Sequence, residues 1–189
     1  LDAPAITIRH LITHTSGLPR EAAFPYWTDS EFPTRDQMVD ALSKQETVLP
    51  TETRWKYSNL ALSLAGEIVA TVSGIGYAEY VQQNILDPLG MANTFVNSPD
   101  RGNPRLATGY GRRQPDGKRQ VSPFTDGKGI TAAANMSTTV EDLAKFAMLQ
   151  FRDGIPDGSQ ILKGSSLREM HRVHWLDQDW KSGWGLGFN

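Results

Sequence analysis

The strongest constraint on the fold is an apolar repeat, four residues long, between Ser58 and Gly74. It is formed by Leu60, Leu64, Ile68 and Val72, with Ala61, Ala65 and Val69 beside them. Because an α-helix completes a turn about every 3.6 residues, this spacing puts the apolar side chains on one helix face. Serine is a favoured N-cap, and glycine is a favoured C-terminal stop. The repeat therefore predicts an amphipathic helix that packs on a core.

Shorter helices are predicted on both sides of this segment by capping residues and helix stops. They are expected at residues 8 to about 13, between Thr7 and the stop at Gly17 and Pro19; after the capping box at 34–37; from about 77 to the residue before Pro88; from the box at 138–141 to about 152; and from the cap at 166–169 to about 173. The fourth of these carries an apolar stripe of Val140, Leu143, Ala147 and Phe151. Such a stripe is typical of a helix that faces a core.

The remaining pattern indicates a small amount of β structure. Residues 115–117, Pro-Asp-Gly, form a turn sequence between extended arms and predict a hairpin or paired strands. Residues 184–188 alternate with a period of two, which is typical of the start of a strand. Residues 18–33 combine three prolines with four aromatic residues and predict an irregular loop that is not simply solvated. Together these patterns predict a mainly α fold with a small antiparallel β element.

Composition excludes several classes of site. The 189 residues contain no cysteine, which excludes disulfides, thiolate metal sites and a cysteine nucleophile. The net charge of −2 gives no electrostatic reason to expect nucleic acid or an anionic membrane as a partner. No apolar run approaches the roughly 20 residues that a membrane helix needs. The location of the protein is not fixed by these features.

The triplet Tyr57-Ser58-Asn59 stands immediately before the long predicted helix. Asn59 falls in the first helical turn, where free backbone N–H groups favour developing negative charge. A tyrosine has a reference pKa of about 10 and is a poor base alone, but a neighbouring ammonium favours the phenolate. Such a tyrosine can take a proton from a serine hydroxyl and pass it to a leaving group. Ser58 as a plain N-cap explains the same triplet without any function.

Four stretches in order extend this signal over nearly the whole chain. They are residues 8–19 (Ile-Arg-His-Leu-Ile-Thr-His-Thr-Ser-Gly-Leu-Pro), 57–59 with the helix behind them, 88–91 (Pro-Leu-Gly-Met) with Thr94, and 132–139 leading to 142–146. In sequence and spacing they resemble the family of class C β-lactamases, D-Ala-D-Ala carboxypeptidases and penicillin-recognising esterases. The resemblance implies the helical domain of the β-lactamase/transpeptidase-like fold, which combines an α domain with an α/β domain.

The family has three catalytic motifs, Ser-x-x-Lys, Tyr-x-Asn and a late Lys-x-Gly or His-x-Gly, and the second is present here. No serine has a lysine three residues on, and no Lys-x-Gly or His-x-Gly follows the Trp-rich region near the C-terminus. The resemblance therefore implies that residues 1–189 are the middle, mostly helical segment of a serine hydrolase. Residues 184–189 would begin a strand that returns to the α/β domain. The chain alone is expected to be inactive.

The resemblance implies an acyl-enzyme mechanism without metal or organic cofactor. Tyr57 would manage protons as a catalytic residue, and Asn59 would position the substrate amide or ester. Tyr26 and Trp27 would contact the substrate. The expected substrate is a small ester, amide or β-lactam, and the expected partner is the remaining α/β domain. A periplasmic or secreted location fits the family, but the sequence does not decide it.

Other interpretations stay open at this stage. A catalytically inactive binding or regulatory homologue would keep the fold without the serine or lysine. A metal hydrolase could use His10 and His14, whose spacing of four suits a metal, although a packing or capping role fits better. Ser16 lacks the glycine that a Gly-x-Ser-x-Gly elbow requires.

Three further groups are interpreted structurally. His171 and His174 are expected to pack or lie on the surface. The basic residues beside the Pro-Asp-Gly turn are expected to be solvated: Arg112, Arg113, Lys118 and Arg119. The cluster of Trp175, Trp180 and Trp184 is expected to anchor a loop rather than to stack a ligand.

Overall fold

The predicted long helix is the central element of the structure, a computed structural model that describes residues 5–97, 103–151 and 160–189. It runs from Asn59 to Ser73. The Ser58 hydroxyl accepts a hydrogen bond from the Ala61 N–H at 2.9 Å and so satisfies a free donor of the first turn. Gly74 ends the helix in the left-handed conformation, with a φ of 75°. Both predicted ends are confirmed.

The described chain is rich in helix and has two small antiparallel sheets. The helices are α1 Ile8–Ile12, α2 Tyr26–Asp29, α3 Arg35–Ala41, α4 Asn59–Ser73, α5 Tyr77–Val81, α6 Val140–Leu149 and α7 Gly164–His171. Short 3-10 turns cover Leu42–Lys44 and Lys128–Ile130, and a π-helical turn, Gln82–Leu86, continues α5. Strand β1 Tyr110–Arg113 pairs with β2 Arg119–Val121, and β3 Trp175–Leu176 pairs with β4 Gly183–Trp184. The mainly α prediction and the predicted hairpin are confirmed.

Several predicted boundaries differ from those in the structure. Helix α1 is not one of them: it ends at Ile12 with Thr13 as its C-cap, close to the predicted end, and His14 then adopts a left-handed backbone with a φ of 59°. Helix α7 begins at Gly164, so Ser166 lies inside it rather than at its cap. Strand β4 is only two residues long, and a turn with Gly187 at a φ of 81° replaces the alternating strand predicted at 184–188.

Helix α6 differs from the prediction in the face that it buries. Val140 is 78% exposed and Phe151, just after the helix, is 86% exposed, so the predicted apolar stripe is not covered in the described chain. The buried residues of the helix are Asp142 and Leu149. Asp142 turns inward because its carboxylate accepts hydrogen bonds from the backbone N–H of Asn93 and from the ammonium of Lys145, both at 2.7 Å.

The apolar core has two parts. The larger lies under the start of α4 and contains Leu11, Leu18, Ala22, Tyr26, Phe32, Met38, Leu60, Ala61 and Ile130. The smaller lies around the end of α5 and contains Val81, Leu86, Met91 and Val96. Helix α4 approaches the Lys128–Ile130 region closely at Gly66, where an added Cβ would lie 2.2 Å from the Cβ of Ala132. The larger core thus fixes the helix whose first turn carries the predicted site.

Within the described ranges, no single helix is both long and apolar enough to cross a membrane. Helix α4 and the segment Tyr77–Leu86 meet the length and composition criteria only when taken together, across a bend of 79°.

Candidate active site

Tyr57 is held in place through the residues on both sides of it. The Lys56 N–H donates to the His14 carbonyl oxygen at 2.8 Å, and the Ser58 N–H donates to Nδ1 of His14 at 3.1 Å. The Ser58 hydroxyl donates to the Pro19 carbonyl oxygen at 2.7 Å while it caps α4. The turn before α4 is therefore joined to the loop after α1 by backbone and side-chain hydrogen bonds.

Tyr57 is 39% exposed, and its ring is close to both an imidazole and a guanidinium. The His14 ring centroid is 4.7 Å away with a tilt of 38°, and the guanidinium carbon of Arg20 lies 5.4 Å from the Tyr57 centroid. A cation over the face of a tyrosine ring is a favourable electrostatic contact. The phenol is thus ordered by its neighbours and still reachable from solvent.

Asn59 is buried, and its amide is oriented by Glu21. Its Nδ2 donates toward both carboxylate oxygens, at 2.9 and 3.1 Å, while its backbone N–H donates to the Arg20 carbonyl oxygen at 2.8 Å. This contact turns the nitrogen of the amide toward Glu21 and the carbonyl oxygen, Oδ1, away from it. The orientation of the Asn59 amide is therefore set by Glu21, and Oδ1 is the atom of this amide that Glu21 does not contact.

Glu21 also joins Asn59 to the loop that contains α2. The Tyr26 hydroxyl donates to Oε2 of Glu21, and Arg20 Nε donates to Oε1 at 3.2 Å. Burial, reinforced by this hydrogen bond to a carboxylate, raises the pKa of Tyr26 well above its usual value. Tyr26 thus stays neutral and remains a donor. Sequence reasoning did not identify Glu21 or Arg20, because their contacts with Asn59 and Tyr57 join residues that are distant in the chain.

The two aromatic residues predicted to contact substrate lie in different environments. Tyr26 is fully buried in the larger core and offers no surface to a ligand in this structure. Trp27 is 57% exposed and lines a cavity of about 690 Å³. Other residues around the cavity are Phe32, Leu106, Phe124, Asn135 and Met136. Tyr26 and Trp27 are adjacent, with ring centroids 5.7 Å apart, so the cavity wall is linked to Asn59 through Tyr26 and Glu21.

The C-terminal tryptophans do not form one platform. Trp184 of β4 stacks on Trp55, with centroids 4.1 Å apart and an interplanar angle of 21°, while Trp180 is 80% exposed. Trp55 in turn lies 5.6 Å from the His14 ring, nearly perpendicular to it. The Trp55–Trp184 stack therefore ties the β3–β4 hairpin to the segment that leads into Tyr57. The indole N–H of Trp55 is buried, and among the described residues no acceptor is within hydrogen-bond distance of it.

A Lys-x-Gly triplet lies within the Trp-rich region itself, at Lys181-Ser182-Gly183. Lys181 is exposed in the turn between β3 and β4, and its N–H donates to the side chain of Asp179 at 3.1 Å. This triplet alone is a weak signal. From the family resemblance, the Lys-x-Gly motif is expected on a strand further along the chain.

The histidine pairs have separate structural partners. His10 contacts Glu52 through Nε2 at 2.8 Å and accepts from the Thr7 N–H at Nδ1, whereas His14 faces Ser58 and Tyr57. In the ranges 5–97, 103–151 and 160–189, no group of three or more His, Asp or Glu side chains is arranged to hold a metal ion.

The remaining candidates also have structural settings. Ser16 is completely buried, and its hydroxyl accepts from the Leu18 N–H at 3.3 Å. His171 packs edge-on against Phe188, and His174 contacts the Glu169 carbonyl oxygen through Nε2 at 2.9 Å. The basic residues of the β1–β2 hairpin are exposed: Arg112, Arg113, Lys118 and Arg119.

Comparison with known proteins assigns the family. The Beta-lactamase family model matches residues 1–189. Beta-lactamase-like protein 2 of Dictyostelium discoideum is 30% identical over 184 residues, which are 96% of this chain and 32% of that protein. A penicillin binding protein from Bacillus halodurans superposes with a TM-score of 0.78 at 25% identity, covering 99% of this chain and 57% of its own.

A D-amino acid amidase from Ochrobactrum anthropi SV3, solved in complex with D-phenylalanine, superposes with a TM-score of 0.64 at 30% identity. That match covers 89% of this chain and 50% of the amidase. The chain thus spans about a third to six tenths of the length of the relatives it matches. The family predicted from the four sequence stretches is confirmed: this chain belongs to the Beta-lactamase family.

Proposed function

We propose that this chain is the Tyr-x-Asn segment of a serine acyl hydrolase that acts on an amide, ester or β-lactam through an acyl-enzyme. The observation that carries the proposal is the placement of Tyr57, held from both sides at the start of α4 and still exposed. Family membership supports the reaction class, since relatives include an amidase and penicillin-binding proteins. General serine esterase or peptidase activity is the first expectation, and a dedicated β-lactamase is the second.

In the proposed mechanism Tyr57 transfers protons. A serine and a lysine of the Ser-x-x-Lys motif, contributed by sequence other than these 189 residues, would meet the phenol. The lysine ammonium would favour the phenolate, which would accept the serine proton as the serine oxygen attacks the substrate carbonyl. The same phenol would then protonate the leaving group, and water would release the acyl group in a second step.

Asn59 supports this chemistry from the first turn of α4. Its Oδ1, turned away from Glu21, would accept a hydrogen bond from the lysine ammonium and so orient it. The expected role of Asn59 in positioning the substrate amide or ester stays a prediction from the family resemblance. No metal or organic cofactor takes part in this sequence of steps.

Trp27 is proposed to contact the side chain of the substrate's acyl group. The cavity that it lines is large enough for an aromatic group and carries Phe32 and Met136 on its walls. The related amidase binds D-phenylalanine, an aromatic amino acid. We therefore expect Trp27→Ala to raise the KM for substrates with an aromatic acyl side chain about tenfold, with little change for small ones. Trp180→Ala, at an exposed tryptophan, is the control and should leave both values unchanged.

The segment is proposed to work with an α/β domain. Residues 1–189 would supply the mostly helical part, and residues 184–189 would lead toward that domain. The 189-residue chain is then inactive alone, which incubation with a chromogenic cephalosporin and a p-nitrophenyl ester tests. Serine-dependent turnover by this chain would show that the nucleophile is assigned wrongly.

The decisive experiment uses the full-length gene product. Tyr57→Phe should lower the acylation rate about a hundredfold or more, the usual scale of general acid–base catalysis. Tyr110→Phe, at an exposed hairpin tyrosine, is the matched control and should acylate normally. Near-normal acylation by Tyr57→Phe would reject the assigned role.

An inactive binding or regulatory homologue is the second candidate, because no serine of this chain has a lysine three residues on. A full-length sequence without Ser-x-x-Lys, together with substrate binding that leads to no acylation, would favour this alternative.

A further inference from the structure

We propose that His14 is a positioning residue for Tyr57 and that it acts as a neutral hydrogen-bond acceptor through Nδ1. The proposal rests on the proposed role of Tyr57. His14 contacts the residue before the phenol through its carbonyl oxygen, the residue after it through Nδ1, and the phenol ring itself through its imidazole. These three contacts from one residue therefore fix both the backbone around Tyr57 and the position of its ring.

The contact with Ser58 fixes the protonation state of His14. A backbone N–H can donate to Nδ1 only if that nitrogen carries a lone pair, so the imidazole is neutral with its proton on Nε2. Burial lowers the pKa of His14 below its ordinary value of 6.5 and favours the same state. Protonation would place an N–H against the Ser58 N–H and break the bond.

The groups around His14 also disfavour a positive charge on its imidazole. The titratable or charged residues that face it or adjoin it are Tyr57 and Lys56 on the segment before α4, and Arg20, which contacts the Tyr57 ring. Trp55, which packs on its edge, carries no charge. None of these groups is a carboxylate that would pair with an imidazolium.

The backbone of His14 shows that the position is specialised. Its φ of 59° lies in the left-handed region, which few residues other than glycine adopt and which asparagine tolerates better than most. This conformation directs the carbonyl oxygen to Lys56 while the side chain reaches Ser58. Asparagine is therefore a conservative replacement, because it accepts the backbone conformation and its Oδ1 can take the place of Nδ1. Phenylalanine keeps a ring but removes the acceptor.

His10 provides a matched control. It is buried to the same extent as His14 and also accepts a backbone N–H at Nδ1, from Thr7 at 3.1 Å. Its other ring nitrogen contacts Glu52 instead of the Tyr57 turn. Substitution of His10 thus removes a similar bond at a different place.

The first test measures geometry by NMR in the 189-residue protein. We expect His14→Phe to reduce the hydrogen-exchange protection of the Ser58 amide about tenfold and to shift the Tyr57 ring resonances. His14→Asn should keep most of the Ser58 protection, and His10→Phe should change neither signal. Unchanged Ser58 protection and Tyr57 shifts in a folded His14→Phe variant would overturn the proposal.

The wild-type protein gives an independent measurement if His14→Phe does not fold. The His14 nitrogen shifts should report a proton on Nε2 at neutral pH, and the Ser58 amide should titrate with the same midpoint as His14, below pH 6.5. A proton on Nδ1 at neutral pH would refute the acceptor role.

The second test uses acylation kinetics of the full-length protein. We expect His14→Phe to lower kcat about tenfold or more with little change in KM, and His14→Asn to restore most of the loss. In wild type, an acid limb of the pH profile should follow the His14 midpoint measured by NMR and disappear in His14→Asn. If Tyr57→Phe impairs acylation and His14→Phe does not, the positioning role fails alone. If the full-length protein does not acylate, the proposed function fails and the NMR test still decides the His14 contact.

Discussion

Gly17, in the loop after α1, packs against the backbone of Leu49 and Pro50, in the segment that leads to Tyr57. Its φ is 74°, and a Cβ placed on it would lie 2.0 Å from the carbonyl oxygen of Leu49. Its own carbonyl oxygen accepts from the Val48 N–H at 2.8 Å, so the two chain segments cannot separate freely. Gly17→Ala would have to open this crossing by about 1 Å to reach the shortest distance that real Cβ atoms show, 3.0 Å.

The expected loss of stability has two parts. A non-glycine residue in the left-handed region costs about 1–2 kcal/mol. A methyl group forced against a fixed backbone oxygen adds the usual cost of overpacking, about 1–3 kcal/mol. The alanine also restricts the unfolded chain, which offsets about 0.4–1 kcal/mol. Gly17→Ala should therefore lower the free energy of unfolding by about 1–5 kcal/mol, with a central value of about 3 kcal/mol.

Gly74→Ala is the matched control. Gly74 has almost the same φ, 75°, but an added Cβ meets no atom within 4 Å. The overpacking contribution is missing there, so we expect a loss of about 0–1.5 kcal/mol from backbone strain less the offset in the unfolded chain. Urea unfolding followed by tryptophan fluorescence and far-UV circular dichroism measures both variants. Equal destabilisation of the two variants would show that contact with Leu49 does not constrain position 17.

Further predictions concern the tryptophan stack, the inward carboxylate of α6 and the close helix contact. Trp184→Ala should lower the free energy of unfolding by about 1–3 kcal/mol through loss of the stack on Trp55, whereas Trp180→Ala should change it by less than about 0.5 kcal/mol; similar urea midpoints would contradict this. The hydrogen bond from Lys145, with help from Asn93 and Thr94, lowers the pKa of Asp142 below its ordinary value of 3.8. Asp142→Asn should therefore lower the thermal midpoint most above that pH, and the difference should shrink as the pH falls below it, because wild type then protonates the carboxylate; a gap that does not change with pH would contradict this. Gly66→Ala improves helix propensity by about 1 kcal/mol, yet it should be destabilising because of the 2.2 Å approach to Ala132; a stabilised variant in the same assay would refute this.

Local sequence signals predicted much of the helical framework. The ends of α4 follow from Ser58 and Gly74, and the β1–β2 hairpin follows from its Pro-Asp-Gly turn, because these preferences act within a few residues. The ends of α1 follow in the same way from Thr7 and from the stop that comes after Thr13. The start of α7 was misplaced because a serine that resembles a cap also fits the helix interior.

The face that a helix buries was not predictable from α6 itself. Periodicity shows that Val140 and Phe151 share a side with Leu143, but it does not show whether anything covers that side. The buried side is instead decided by Asp142, whose partner Asn93 is 49 residues away.

The candidate site was predictable only in its motif. Tyr57 and Asn59 stand out because they belong to one short triplet, 57–59, at the start of the long helix. His14 is 44 residues from Ser58, and Glu21 is 38 residues from Asn59. Such contacts depend on the tertiary fold, and no local sequence pattern predicts them.

Glu21 serves as acceptor for Asn59, Tyr26 and Arg20 together, and this restricts how the protein can evolve. A substitution that neutralises Glu21 would disturb the amide beside the phenol and the anchor of the Trp27 loop in a single step. Changes in the ligand cavity and changes near Asn59 should therefore be non-additive, so a new substrate preference would require compensating mutations on both sides of this carboxylate.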